Sequence, residues 1–162
     1  MHQDRRRDRR PARRVGLVRA RHQAPALVVE GADVVIVGYF SGKQKDFAVL
    51  MDSAVQEMTT HGARVVGRIV QRRGVSDGGA KKMALPFSSR TLLSYGKVRE
   101  AAALCEQTDA DAAVFLSPLT GRQRRALTGM LGCPAVSLAD ALTADRVRSW
   151  PLISNSESAH VR

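Results

Sequence analysis

Apolar positions recur along this chain with two periods, and their alternation predicts strands and helices in turn. Val34-Val35-Ile36-Val37 is a continuous β-branched run ended by Gly38, the pattern of a strand covered on both faces. Residues 39–43 follow as a loop. From Asp46 to His61 the apolar residues Phe47, Leu50, Met51, Ala54, Val55 and Met58 are spaced by three and four. That spacing predicts an amphipathic helix, closed by Gly62. A second strand is expected over Ala63–Val70, with Val65 and Ile69 on one face and Val66 and Val70 on the other. Residues 71–84 (QRRGVSDGGAKKMA) are polar and glycine-rich and predict a mobile loop. Leu85–Phe87 reads as a short extended piece, and residues 88–96 lead into a helix whose buried stripe is Val98, Ala101, Ala102 and Cys105. Ala112–Leu116 predicts a third strand, with Ser117-Pro118 as a turn. Residues 121–131 predict a helix with Ala126, Leu127, Met130 and Leu131 inward and Arg122, Arg124 and Arg125 outward, ended by Gly132. A last strand over residues 133–137 and a short helix over 138–147 complete the pattern. This alternation implies an α/β fold, a small parallel β-sheet flanked by helices with right-handed crossovers. Strand order stays open.

Length and composition frame that pattern. The chain has 162 residues, 44% hydrophobic and only 4% aromatic, which suits one domain with a core of Val, Leu, Ile and Ala. The expected division is a basic disordered tail over 1–30, an α/β domain over 31–150, and a disordered C-terminal tail over 151–162. No apolar stretch approaches the roughly 20 residues of a membrane helix, and no apolar segment follows the N-terminal arginines as a secretory signal requires. A cytoplasmic protein without membrane contact is expected. The net charge of +11 is unevenly spread: residues 1–30 hold nine arginines against Asp4, Asp8 and Glu30, leaving 17 basic and 12 acidic side chains beyond. More than half of the excess therefore lies in the tail. Such a tail can neutralise RNA phosphates or act simply as a solubilising extension.

Candidate chemistry is sparse. Cys105 and Cys133 lack the spacing and companion ligands of a zinc site, so buried reduced thiols are expected. Ser94-Tyr95-Gly96-Lys97 suggests a phosphate loop, but the glycines are too few and no hydroxyl residue follows Lys97. A loop feeding a helix is the simpler reading. Three of the four histidines lie in the tails, and His61 falls at a helix end. No catalytic set, metal site or cofactor site is expected. The basic pairs Arg72-Arg73 and Lys81-Lys82, with Lys97, Arg122 and Arg125, are the candidate contacts to a partner or to phosphate. So few aromatics give little support to base stacking.

Four segments carry a resemblance. Gly62–Arg73 (GARVVGRIVQRR) resembles a strand-and-exit string of the N-terminal domain of HflX-type GTPases. Leu93–Glu100 (LSYGKVRE) is similar to the family's Tyr-Ile-Gly-x-Gly-Lys-Val-x-Glu string, and Asp109–Phe115 (DADAAVF) to its Gly-Ala-Asp-x-Val-Ile-Phe strand. Thr120–Leu131 takes the place of its Ser-Pro-x-Gln-x-Arg-Asn-Leu helix, with Gln123 and Leu127 in register. Order and spacing agree over roughly residues 33–147. There are departures: Ser94 replaces a glycine, Leu116 and Ser117 stand where the family has acidic residues, and Arg125-Ala126 replaces Arg-Asn. The family's Asp-Arg-Thr string is not recognisable around Ser137–Asp140. Nothing here matches the helical hairpin or the GTP-binding domain. The resemblance thus implies a non-catalytic lobe without GTPase activity, acting as an accessory subunit that binds and stabilises an enzyme in a heteromeric complex. The alternative is a ribosome- or RNA-binding protein derived from HflX.

Overall fold

The computed structural model describes residues 27–74, 79–82 and 85–149. Four strands alternate with four helices: β1 (Asp33–Ser41), α1 (Phe47–Thr60), β2 (Arg64–Arg73), α2 (Tyr95–Thr108), β3 (Ala112–Phe115), α3 (Gly121–Leu131), β4 (Ala135–Ser137) and α4 (Leu138–Ser149). All three strand pairings are parallel, in the order β2-β1-β3-β4. The fold class is therefore the expected α/β sheet flanked by helices. No helix among the described residues is long and apolar enough to cross a membrane.

The run Val34–Val37 is apolar on both sides because β1 is an inner strand. Val34, Ile36 and Phe40 pack with Met51, Ala54 and Met58 of α1, Val114 of β3 and Ala141 of α4. Val35 and Val37 face the opposite way, onto Val98 and Ala101 of α2, Leu127 and Leu131 of α3, and Phe115. Full burial of each such side chain contributes about 1.5–3 kcal/mol, so β1 is the sheet's main anchor.

Helix ends follow from local chemistry. Ser94 caps α2, its hydroxyl accepting from the Lys97 N–H. Thr120 and Gln123 form a reciprocal capping box at α3, which satisfies two backbone donors that would otherwise lack partners. Gly132 closes α3 at φ 74°, a left-handed conformation that suits glycine.

Several expectations are corrected. β1 continues through Gly38 to Ser41, because Gly38 lies flat beneath its neighbours: a Cβ there would fall 2.5 Å from both Met51 Sδ and a Phe40 ring carbon. β2 likewise runs on to Arg73, pairing Gln71, Arg72 and Arg73 with Tyr39, Phe40 and Ser41. These three residues are strand, not mobile loop. A register shift at Val34/Val35 pairs Val34 with Val65 but Val35 with Gly67, leaving Val66 as the extra residue of a bulge. The face assignment in β2 therefore switches: Val65 shares a cluster with Val70, and Val66 with Ile69.

Leu85–Phe87 is a bend and not a strand. Met130 is 38% exposed instead of inward, whereas Gln123 is buried. The ordered core begins before residue 31, since Val29 is fully buried. The predicted tails otherwise fall on residues 1–26 and 150–162, outside the described residues, as do 75–78 and 83–84 of the predicted loop.

Candidate functional site

In a parallel sheet every strand-to-helix loop emerges at the carboxyl end, and the helix N-termini return there. Strand order reverses between β1 and β3, so a crevice opens at their carboxyl ends, the usual ligand position in such folds. A groove of about 470 Å³ lies there, lined by Tyr39, Phe40, Gln44, Leu50, Leu116 and Ser117 among others, and by no lysine or arginine. The bases stand on the rim beside it.

Hydrogen bonds between successive loops make that rim continuous. Arg72, at the end of β2, donates to the carbonyls of Gly42 and Gln44 at 3.0 and 3.3 Å and lies 4.4 Å over the Phe47 ring. It thereby fixes the β1–α1 loop, which carries the exposed Lys43 and Lys45. Arg73 points to the other face, donating to the Leu85 and Pro86 carbonyls at 2.8 and 2.6 Å and stacking on Phe87 at 4.9 Å. The Tyr39 hydroxyl also donates to the Leu85 carbonyl. Leu85 N–H in turn bonds the Lys82 carbonyl, which seats the 3₁₀ turn bearing exposed Lys81 and Lys82 above β1 and β2. Further along, Gln123 donates to the Ser89 carbonyl at 3.1 Å, joining the segment with exposed Arg90 to the N-terminus of α3 and its exposed Arg122 and Arg125.

The electrostatics of this end run against the usual rule. A helix N-terminus carries roughly half a positive charge, and acidic side chains in the first turn stabilise it. None of α1, α2 or α3 has an acidic residue in its first turn. Instead Lys97 lies in the first turn of α2 and Arg122 in that of α3, whereas Asp46 is the N-cap of α1 and α4, which starts at the same end, follows the rule with Asp140 in its first turn. The opposite end of the sheet collects acids: Glu30, Asp33, Glu106, Asp109 and Asp111 stand at the strand starts and helix ends. Arg64 there is already paired with Asp33 at 2.6 Å, and His61 with Asp145 at 2.6 Å. Bases thus outnumber acids at the carboxyl end, where Asp46, Glu100 and Asp140 are the acids, and acids outnumber bases at the amino end.

Of the seven candidate contacts, all lie on this one end. Lys81, Lys82, Arg122 and Arg125 are exposed, and among the described residues none of them forms an ion pair. Arg72 is exposed but occupied with the β1–α1 loop. Lys97 is half-buried and pairs with Glu100 at 2.7 Å. Arg73 is buried among protein carbonyls, so its role is structural.

At the head of the Ser94–Lys97 string the Ser94 backbone and hydroxyl are engaged within the protein. The Ser94 N–H donates to Gln71 Oε1 at 2.8 Å, and Gln71 Nε2 donates back to Ser94 Oγ at 2.8 Å. Sequence reasoning missed Lys43, Lys45 and Arg90. The rule that loops after parallel strands share one end would have placed them on the rim. No protein-family model and no curated protein matches this chain.

Proposed function

We propose that this chain is a non-catalytic binding module that seats the carboxyl end of its sheet on the phosphate backbone of structured RNA. The observation that carries the reading is the gathering of exposed lysines and arginines at this end, around the N-termini of α2 and α3, whose first turns hold Lys97 and Arg122 and no acid. That arrangement costs the isolated protein stability and is relieved by an anion. Spacing over several loops suits a chain of phosphates better than one small anion. Tyr95, 71% exposed at the start of α2 with the Arg99 guanidinium 5.9 Å from its ring, adds a surface on which an unpaired base can stack. A descent from the HflX N-terminal lobe accords with this reading.

The accessory-subunit reading has less support. Exposed large apolar side chains (Val28, Val49, Leu85, Met130 and Val147) fall on five different segments, as scattered surface apolars ordinarily do.

The test is binding of the full chain to a fluorescent RNA hairpin across a salt series. Affinity should fall steeply and linearly in log–log form. Lys81→Glu with Lys82→Glu, in the otherwise intact chain, should flatten the slope even though the arginine tail is untouched. An unchanged slope sinks the proposal. Capture of one stoichiometric protein that survives nuclease and high salt would replace it with the accessory-subunit reading.

A further inference from the structure

The groove where strand order reverses is not used by the basic rim beside it. Its volume of about 470 Å³ falls within the roughly 300–1,000 Å³ of ordinary ligand pockets. Leu50, Ser53 and Glu57 of α1 face it together, because spacings of three and four put residues on one stripe of a helix. Ser117 after β3 and Leu138 at the head of α4 also line it. Since α1 runs down from the rim, Glu57 lies about 10 Å below Leu50 along the helix axis.

Four polar side chains line this groove: Gln44, Ser53, Glu57 and Ser117. Among the described residues none of these side chains has a hydrogen-bond or ion-pair partner. Gln44 is held by its backbone instead, its N–H donating to the Ser41 carbonyl at 3.0 Å and its carbonyl accepting from Arg72. Glu57 stands in the last turn of α1, where the helix's partial negative charge disfavours a carboxylate. A ligand that brings N–H donors to Glu57 relieves that cost.

We propose that the groove takes one unpaired guanine of the bound RNA, with Glu57 reading its Watson–Crick edge. The inference rests on the RNA reading above and adds base selectivity to it. A groove that holds a carboxylate and no lysine or arginine rejects phosphate, whereas exposed Lys43 and Lys45 flank Gln44 in the loop above. The matching ligand is neutral at its far end and anionic where it leaves, as a nucleotide within a strand is. Leu50 and Leu138 offer apolar surface to the base, and the neighbouring phosphates meet the two lysines. Guanine alone presents two adjacent donors, N1–H and the N2 amino group, and one ionised carboxylate accepts from both. Adenine and cytosine set an amino group beside an acceptor nitrogen, and uracil sets N3–H between two carbonyls. Each of these turns an acceptor towards the Glu57 oxygens. The base must be unpaired, because that edge is occupied in a duplex.

The full chain is titrated with fluorescent RNA hairpins that differ in one bulged nucleotide (G, A, C, U or inosine) and with the fully paired hairpin. Bulged G should bind about tenfold more tightly than the other five. Inosine, which lacks only the N2 amino group, is the sharpest comparison. Glu57→Gln, an exposed change on a helix surface, should bind G and inosine alike. Lys81→Glu with Lys82→Glu should weaken all six and keep the ratio of G to inosine. Guanosine monophosphate should bind roughly a hundredfold more weakly than the bulged-G hairpin, for want of neighbouring phosphates. Equal affinity for all six hairpins, with the steep salt dependence intact, would overturn the guanine pocket and leave the rim standing. Absence of RNA binding sinks both. A preference for G that survives Glu57→Gln overturns the assignment, and a monophosphate that binds as tightly as the hairpin replaces RNA by a free nucleotide.

Discussion

Replacing Arg122 by glutamate separates stability from binding, because the same charge acts on each with opposite sign. Arg122 is the second residue of an 11-residue helix with a complete capping box and no first-turn acid. It is exposed, and among the described residues it has no ion-pair partner. A charge in that position interacts with the helix N-terminus by about 0.3–1 kcal/mol at low ionic strength. Reversal removes an opposing cation and supplies a favourable anion, so the gain is about 1 kcal/mol. For a chain of this length that raises Tm by about 2–4 °C, readable by circular dichroism at low salt and shrinking as salt is added. Binding should move the other way. Loss of one phosphate contact flattens the log K against log salt slope by about 0.9 for a duplex or 0.7 for a single strand. Arg146→Glu, in the C-terminal half of α4 and so at the end away from the rim, is the control and should leave the slope unchanged. A destabilised Arg122→Glu protein, or one whose salt slope equals that of the parent, would refute the reasoning.

Other consequences follow from packing and caps. Gly38→Ala forces a methyl into the space held by Met51 and Phe40 and should cost about 1–3 kcal/mol, seen as a lower denaturant midpoint at unchanged m-value. An unaltered midpoint would show that Met51 moves aside freely. Arg73→Ala strips charged donors from the Leu85 and Pro86 carbonyls, each such bond being worth about 1.5–3 kcal/mol. Unfolding should come at lower denaturant, whereas Lys81→Ala with Lys82→Ala should change stability by less than about 0.5 kcal/mol. Thr120→Ala removes the α3 cap and should cost about 1 kcal/mol by thermal melting.

Much of the fold was legible because burial imposes period. The stripe of α1, the two-sided run of β1 and the glycine stop of α3 all follow from which side chains must leave water. Legibility failed where a backbone or side-chain partner supplied what the local string lacked. Gln71–Arg73 look like loop because they are polar. They hold strand geometry through the ladder to Tyr39–Ser41 and through stacking on Phe47 and Phe87. The bulge at Val66 is likewise silent in a row of valines, and it alone exchanges Val70 for Ile69 between faces. Gln123 reads as a surface residue until its second role, bonding Ser89, is seen. The seven candidate contacts could be named but not sorted: only the structure separates exposed Lys81 from buried Arg73. That Cys105 and Cys133 share one apolar cluster depends on the ends of α2 and α3 lying side by side, which spacing along the chain does not encode.

Net charge is a poor guide to this molecule because its distribution matters more than its sum. Beyond residue 30 the excess of bases over acids is modest, and a uniformly spread excess of that size would give weak, orientation-blind attraction to polyanions. Segregation changes the physics. With most bases at the carboxyl end and most acids at the amino end, the domain carries a dipole along its strands, and the N-termini of α1, α2 and α3 add to it in the same sense. In the field of a phosphate backbone one end is attracted and the other repelled, so the protein is turned before it touches. Orientation of this kind raises the fraction of encounters that arrive with the rim foremost. It also makes the association rate more salt-sensitive than the dissociation rate.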